Sequence, residues 1–235
     1  MRSATLILLM AAGVANAGVV TIDAAAFPTG TDITSATPGV TLQALNNEVA
    51  SGYVLNPVYA VANPGYLDAG PNWIGHGTGS SFHNASYQAT SCFVDNSCAN
   101  GSPTSKINVL LMSFQYPTNL VELRAHKDGN GLDWSYLRLY NKQKDLLASC
   151  YVPGTTKTQF PYYVPKILGF MFPCGELLRY YDCSHSGTSC KVEFKVRMTR
   201  SYPDIAYAIW GDEGYDSTPG YVNKISFRQF GDCAP

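Results

Sequence analysis

The chain has 235 residues, a formal net charge of −1 and only 14% charged residues against 46% hydrophobic ones. A near-neutral balance without basic clusters gives no footing for nucleic acid or an anionic membrane surface as partner. The apolar content is enough for one sizeable core, and the 16 Tyr and 21 Gly beside so few charges suit an extracellular β-protein.

Residues 1–17 read MRSATLILLMAAGVANA. Arg2 precedes an apolar run, and Ala15-Asn16-Ala17 is a small-x-small cleavage site, so a secretory signal peptide with mature start at Gly18 is expected. The run is too short for a membrane-spanning helix, and no later apolar run reaches that length. Residues 18–235 are then expected to form a single exported domain, secreted or periplasmic.

Gly18–Asp23 (GVVTID) predicts a first strand. Phe27–Thr34 predicts a loop or one helical turn. After the Pro38-Gly39 turn, Val40–Leu45 alternates with Val40, Leu42 and Ala44 inward. Asn46–Ser105 is rich in Asn, Gly, Ser and Pro and shows only short apolar pieces at Tyr53–Leu55 and Val58–Val61; such a stretch marks a functional or disulfide-tied region.

The most legible stretch is Ile107–Val152. Leu120–His126 places Val121, Leu123 and Ala125 on one face and Glu122, Arg124 and His126 on a wet face. Leu137 and Leu139 oppose Arg138 and Tyr140, and Leu146–Val152 repeats the period of two. Asp128-Gly129-Asn130-Gly131 is turn chemistry. Pro153–Pro173, with prolines at 161, 165 and 173, predicts an extended loop across the sandwich. Lys191–Met198 is the cleanest strand, with Val192, Phe194, Val196 and Met198 in and Lys191, Glu193, Lys195 and Arg197 out. Ile205–Trp210 and Tyr221–Phe227 close the chain. Half-buried antiparallel strands need a second sheet to cover them, so the expected fold is an all-β, two-sheet antiparallel sandwich of jelly-roll kind with long disulfide-tied loops.

Cysteines stand at 92, 98, 150, 174, 183, 190 and 233. In an exported chain most should pair. Cys92–Cys98 and Cys183–Cys190 read as local clips, and Cys150–Cys174 as a bridge tying back the proline-rich loop. Cys233 is the odd one. Exchange among 150, 174, 183 and 190 stays open, and the spacings do not match zinc sites.

The opening VTIDAAAFPTGTDITSATPGVTLQAL and the closing DIAYAIWGDEGYDSTPGYVNKISF together resemble exported bacterial β-sandwich proteins of the galactose-binding-like and PEP-CTERM-associated type. The resemblance implies a sandwich fold. The sorting tail is absent, and Asn223 stands where an aspartate is usual, which weakens a calcium site built there.

Chemistry is sparsely marked. His76-Gly-Thr-Gly-Ser-Ser-Phe-His83 matches neither a nucleophile elbow nor a phosphate loop and reads as a Gly-rich surface loop. Asp128–Asp133 lacks EF-hand spacing, and no spacing selects a carboxylate pair for glycoside chemistry from Glu122, Asp133, Glu176, Asp212 and Glu213. Asp23 is the one calcium candidate, with strand carbonyls as co-ligands; no other cofactor is implied. Trp73, Tyr162, Tyr163, Tyr215 and Tyr221 sit in or beside expected loops, where flat rings with polar edges suit sugars. The competing reading is that these rings pack the ends of the sandwich, as Trp134 and Trp210 do within their strands. The expected function is a non-catalytic protein binding carbohydrate or a cell-surface polymer; a secreted glycoside- or ester-type hydrolase and a purely structural matrix protein are the alternatives.

Overall fold

The computed structural model describes residues 17–49, 52–62, 72–76, 93–94, 108–127, 134–152, 172–173, 175–181, 191–213 and 220–230. The expected leader up to residue 16 and the three-disulfide pattern beyond Cys150 lie outside them. The described residues form an all-β sandwich of two sheets, antiparallel throughout except for one short pair.

The strands are β1 (Gly18–Asp23), β2 (Val40–Val49), β3 (Gly52–Asn56), β4 (Val58–Ala62), β5 (Asn72–His76), β6 (Asn108–Thr118), β7 (Leu120–Lys127), β8 (Trp134–Tyr140), β9 (Leu146–Val152), β10 (Phe172–Pro173), β11 (Gly175–Tyr181), β12 (Lys191–Thr199), β13 (Ile205–Glu213) and β14 (Gly220–Gln229). The first sheet runs β11-β12-β7-β14-β5-β4, with β1 also on β14; the second runs β10-β9-β8-β13-β6-β2-β3. β1 pairs with Lys224–Gln229 and β5 with Val222, so the two share one edge of β14 end to end. Pairing is nested: β1 with β14, β6 with β13, β7 with β12. A doubled ribbon wrapped into two layers, as in a jelly roll, produces that nesting.

The alternation read in β2, β7, β8 and β12 positions the core. Leu42, Ala44, Leu110, Met112, Leu137, Leu139 and Trp210 of one sheet meet Val121, Leu123, Ala125, Phe194, Val196, Ile225 and Phe227 of the other, all buried. Phe114 lies 5.3 Å from Phe227 and Phe194 5.8 Å from Trp210, so aromatic pairs bridge the layers.

Residues 24–39 seal one edge. Asp23 caps a single 3₁₀ turn (Ala24–Ala26), accepting from Ala25 N at 3.0 Å. The following loop laces onto β4 through Gly30 N to Ala60 O (2.7 Å), Ala60 N to Thr31 O (2.9 Å) and Ile33 N to Val58 O (2.8 Å). Covering the outer strand of a sheet removes a template for unwanted pairing. At the far end, Arg200 makes a two-pronged contact with Asp204 (2.6 and 2.7 Å), while its backbone N–H reaches Asn119 O at 2.9 Å. That clamp ties the β12–β13 corner to the β6–β7 corner.

Three expectations need correction. β5 is a strand inside a stretch, Asn46–Ser105, read as irregular. The proline-rich stretch ends in a strand, β10, pairing in parallel on the outer side of β9; an edge position accommodates Pro173, which has no N–H to give. The outward faces are not simply wet: His126, Glu193, Arg138 and Tyr140 are all buried.

Candidate functional site

Sheet register turns the outward alternation into rows that cross the strands. On the first sheet, Glu193 (β12), His126 (β7) and Tyr221 (β14) are register partners. His126 is 0% exposed and Glu193 1%. Glu193 Oε1 accepts from Arg124 Nε and lies 3.7 Å from His126 Nε2. Asn223 sits in a register irregularity of β14 that turns its amide Nδ2 to 3.4 Å from His126 Nε2. Trp73 meets His126 edge-on at 4.7 Å and Tyr221 at 4.9 Å. Trp73, His126, Glu193 and Asn223 of this shelf are buried, with Tyr221 half-buried at its side.

One step along the strands, Lys195, Arg124 and Lys224 form the next row. They line a groove of about 300 Å³ with Glu122, Ser226 and Leu178. Lys224 Nζ binds Asp23 Oδ2 at 2.6 Å, and Arg197 lies 3.7 Å from Glu122. Both oxygens of Asp23 are therefore engaged, by Ala25 N–H and by Lys224. Among the described residues no group of three or more His, Cys, Asp or Glu gathers as a metal site would require.

On the second sheet's outer face, Thr41 (β2), Ser113 (β6), Tyr207 (β13) and Tyr140 (β8) are successive register partners. The first three open into a pocket of about 490 Å³, whose other described walls are Ser35, Thr37, Pro38, Gly39, Val40, Phe114 and Gln115. Gly39 turns the chain there at φ +88°, a backbone that favours glycine. Its carbonyl accepts from Gln115 N at 2.9 Å and fixes the wall. Phe93 packs edge-on against both Tyr207 and Tyr140 at 5.2 Å and backs the pocket's ring. Lys144, at φ 67°, donates to Phe93 O at 2.8 Å and sits 4.6 Å from the Phe93 ring centre.

The described lining is three kinds of hydroxyl, one amide and apolar surface. No carboxylate, histidine or ammonium lines it among the described residues; these walls offer hydrogen bonds and a ring face.

Of the aromatic ligand candidates, Trp73 is 0% exposed and Tyr221 half-buried beside it. Trp73 is thus a packed ring and not an exposed platform, because β5 runs inside the sheet where a loop was expected. Tyr162, Tyr163 and Tyr215 lie outside the described residues, as do Cys92, Cys98, Cys174, Cys183 and Cys190. Cys150 is buried on β9. Sequence reasoning passed over Thr41, Ser113 and Tyr207 because each is an ordinary outward residue of its own strand; only register makes them neighbours.

Comparison with known proteins yields no match: no protein-family model, curated protein or solved structure is similar to this chain.

Proposed function

We propose that this is an exported, non-catalytic β-sandwich that binds carbohydrate of an extracellular or cell-surface polymer, and that the Tyr207 pocket takes a neutral sugar unit. The observation that carries this reading is the pocket's composition. Thr41, Ser113, Ser35, Thr37 and Gln115 offer donors and acceptors around one phenolic ring, without a formal charge among the described walls. Sugar hydroxyls need such short-range hydrogen-bonding partners, and C–H faces pack on an aromatic ring. A volume of about 490 Å³ falls in the range of small-ligand sites.

Export is supported by the Arg2-led apolar run and Ala15-x-Ala17, and by the resemblance of both chain ends to exported sandwich proteins. The disulfide ties belong to the same reading. Cys150 is disulfide-bonded, and the proline-rich stretch returns beside it with Phe172 in register, which supports a tie between that stretch and β9.

The test is calorimetry of the mature chain against neutral oligosaccharides: cellohexaose, laminarihexaose, chitohexaose and a mannan fragment. Tyr207→Phe, Ser113→Ala and Thr41→Val remove hydroxyls and keep shape. Binding to at least one probe that these variants weaken about tenfold, at unchanged circular dichroism, is expected from the loss of one or two hydrogen bonds. Absence of binding across the panel would favour a structural matrix role.

A further inference from the structure

Among the described residues Lys144 alone, apart from glycines, has a left-handed backbone, φ 67°. That conformation is costly for a residue with a Cβ and suits glycine. It persists because the turn around it is over-determined. Asn141 Oδ1 accepts from Asp145 N at 2.8 Å, Asn141 Nδ2 donates to Asp145 Oδ2 at 2.9 Å, and Lys144 N donates to Asn141 O at 3.0 Å. What the strain secures is not the core. Lys144 Nζ donates to Phe93 O at 2.8 Å and stands 4.6 Å from the Phe93 ring centre. Phe93 is 2% exposed, yet it lies outside the packing between the sheets, edge-on at 5.2 Å to both Tyr140 and Tyr207. Those tyrosines are register partners on adjacent strands, so one ring spans them both. Strain held away from the core is where a functional constraint is expected.

We infer that Lys144 is a positioning residue of the Tyr207 pocket, acting through Phe93 to fix the tyrosine ring before a sugar arrives; this rests on the carbohydrate reading of that pocket. Tyr207 is half-buried and lines open space. A ring in that setting keeps rotamer freedom unless a neighbour restricts it, and ordering it on binding costs affinity. The edge-on contact with Phe93 supplies the restriction, and Lys144 holds Phe93 by its backbone and its ring. Neither Phe93 nor Lys144 is among the pocket's described walls, so their effect reaches a ligand through Tyr207.

The experiment is proton NMR of the Tyr207 ring in the mature chain, with calorimetry against cellohexaose, laminarihexaose, chitohexaose and the mannan fragment. Tyr207→Phe identifies the ring's signals. In the free wild-type protein the Phe93 ring should displace them, and both Phe93→Leu and Lys144→Gly should move them toward unstructured values. Affinity should fall about fivefold in those two variants, the effect of ordering one ring on binding. Lys144→Arg, which keeps a cation and a donor, should retain the signals and the affinity. Lys144→Gly relieves the backbone strain while it removes the ammonium, so a lysine with a purely structural role would leave affinity unchanged there. Thermal melts of each variant separate folding from binding. Tyr207 signals unmoved by Lys144→Gly, or moved without loss of affinity, would overturn the inference and leave the carbohydrate reading intact. Signals that respond in a chain that binds none of these oligosaccharides would support the positioning of the ring and overturn the carbohydrate reading instead.

Discussion

Glu193 of β12 reaches across to β7, where its carboxylate accepts from Arg124 and lies 3.7 Å from the ring of His126, with Glu193 and His126 both enclosed. A buried carboxylate is stable only while its charge is met. Arg124→Ala removes a charged partner from this enclosed carboxylate, and a loss of up to about 3 kcal/mol is expected. Lys224→Ala, which breaks a part-exposed pair with Asp23, should cost no more than about 1 kcal/mol. Urea unfolding of the two variants checks the contrast; equal losses would mean that Glu193 is met by other groups.

Trp73 sits at 0% exposure between His126 and Tyr221. Truncating a buried tryptophan to alanine costs about 3–5 kcal/mol. Trp73→Ala is therefore expected to lower the melting temperature strongly, whereas Trp73→Phe should retain much of the stability. A fully stable Trp73→Ala protein would show that the ring is not part of the packed shelf.

Much of the fold is legible from alternation. Val121, Leu123 and Ala125, or Leu137 and Leu139, announce an inward face because burial and period two coincide. What alternation cannot tell is whether the other face is covered. Glu193 and Arg138 look solvent-facing by pattern and are buried; Arg138 lies over the Tyr136 ring at 4.2 Å. β5 was hidden because Asn72 and Gly75 interrupt its pattern. Asn72 earns its burial through tertiary partners, accepting from Thr29 Oγ1 at 2.6 Å and donating to Phe27 O. The candidate pocket was not legible, since Thr41, Ser113 and Tyr207 become neighbours only once long-range register is known.

Lys144 holds a left-handed backbone, φ 67°, at the β8–β9 turn while its ammonium secures Phe93. That conformation costs a non-glycine residue about 1 kcal/mol, which the hydrogen bond and the cation–ring contact offset. Lys144→Ala keeps the strain and loses the contacts, so a loss of about 1 kcal/mol is expected. Lys144→Gly should be the more stable of the two variants in thermal melts, because glycine adopts this backbone freely.

The Asp204 hydrogen bond pushes the Arg200 guanidinium up from its already high value. A group whose pKa is raised on folding contributes stability below its unfolded pKa and loses it only as pH rises through the folded one. That window lies far on the alkaline side. The melting-temperature difference between wild type and Arg200→Ala, equivalent to about 1 kcal/mol for a part-exposed two-pronged pair, should thus stay flat between about pH 7 and 10. A difference that vanishes within that interval would contradict the clamp.

The proposal that the Tyr207 pocket binds carbohydrate is tested most directly by amide NMR of the isotopically labelled mature chain, titrated with the neutral hexasaccharides. Saturable shifts are expected at Gly39, Thr41, Ser113, Gln115 and Tyr207, with Trp73 and Ile74 unmoved and the shifts suppressed by Tyr207→Phe. Shifts centred elsewhere, or none with any probe, would contradict carbohydrate binding in this pocket.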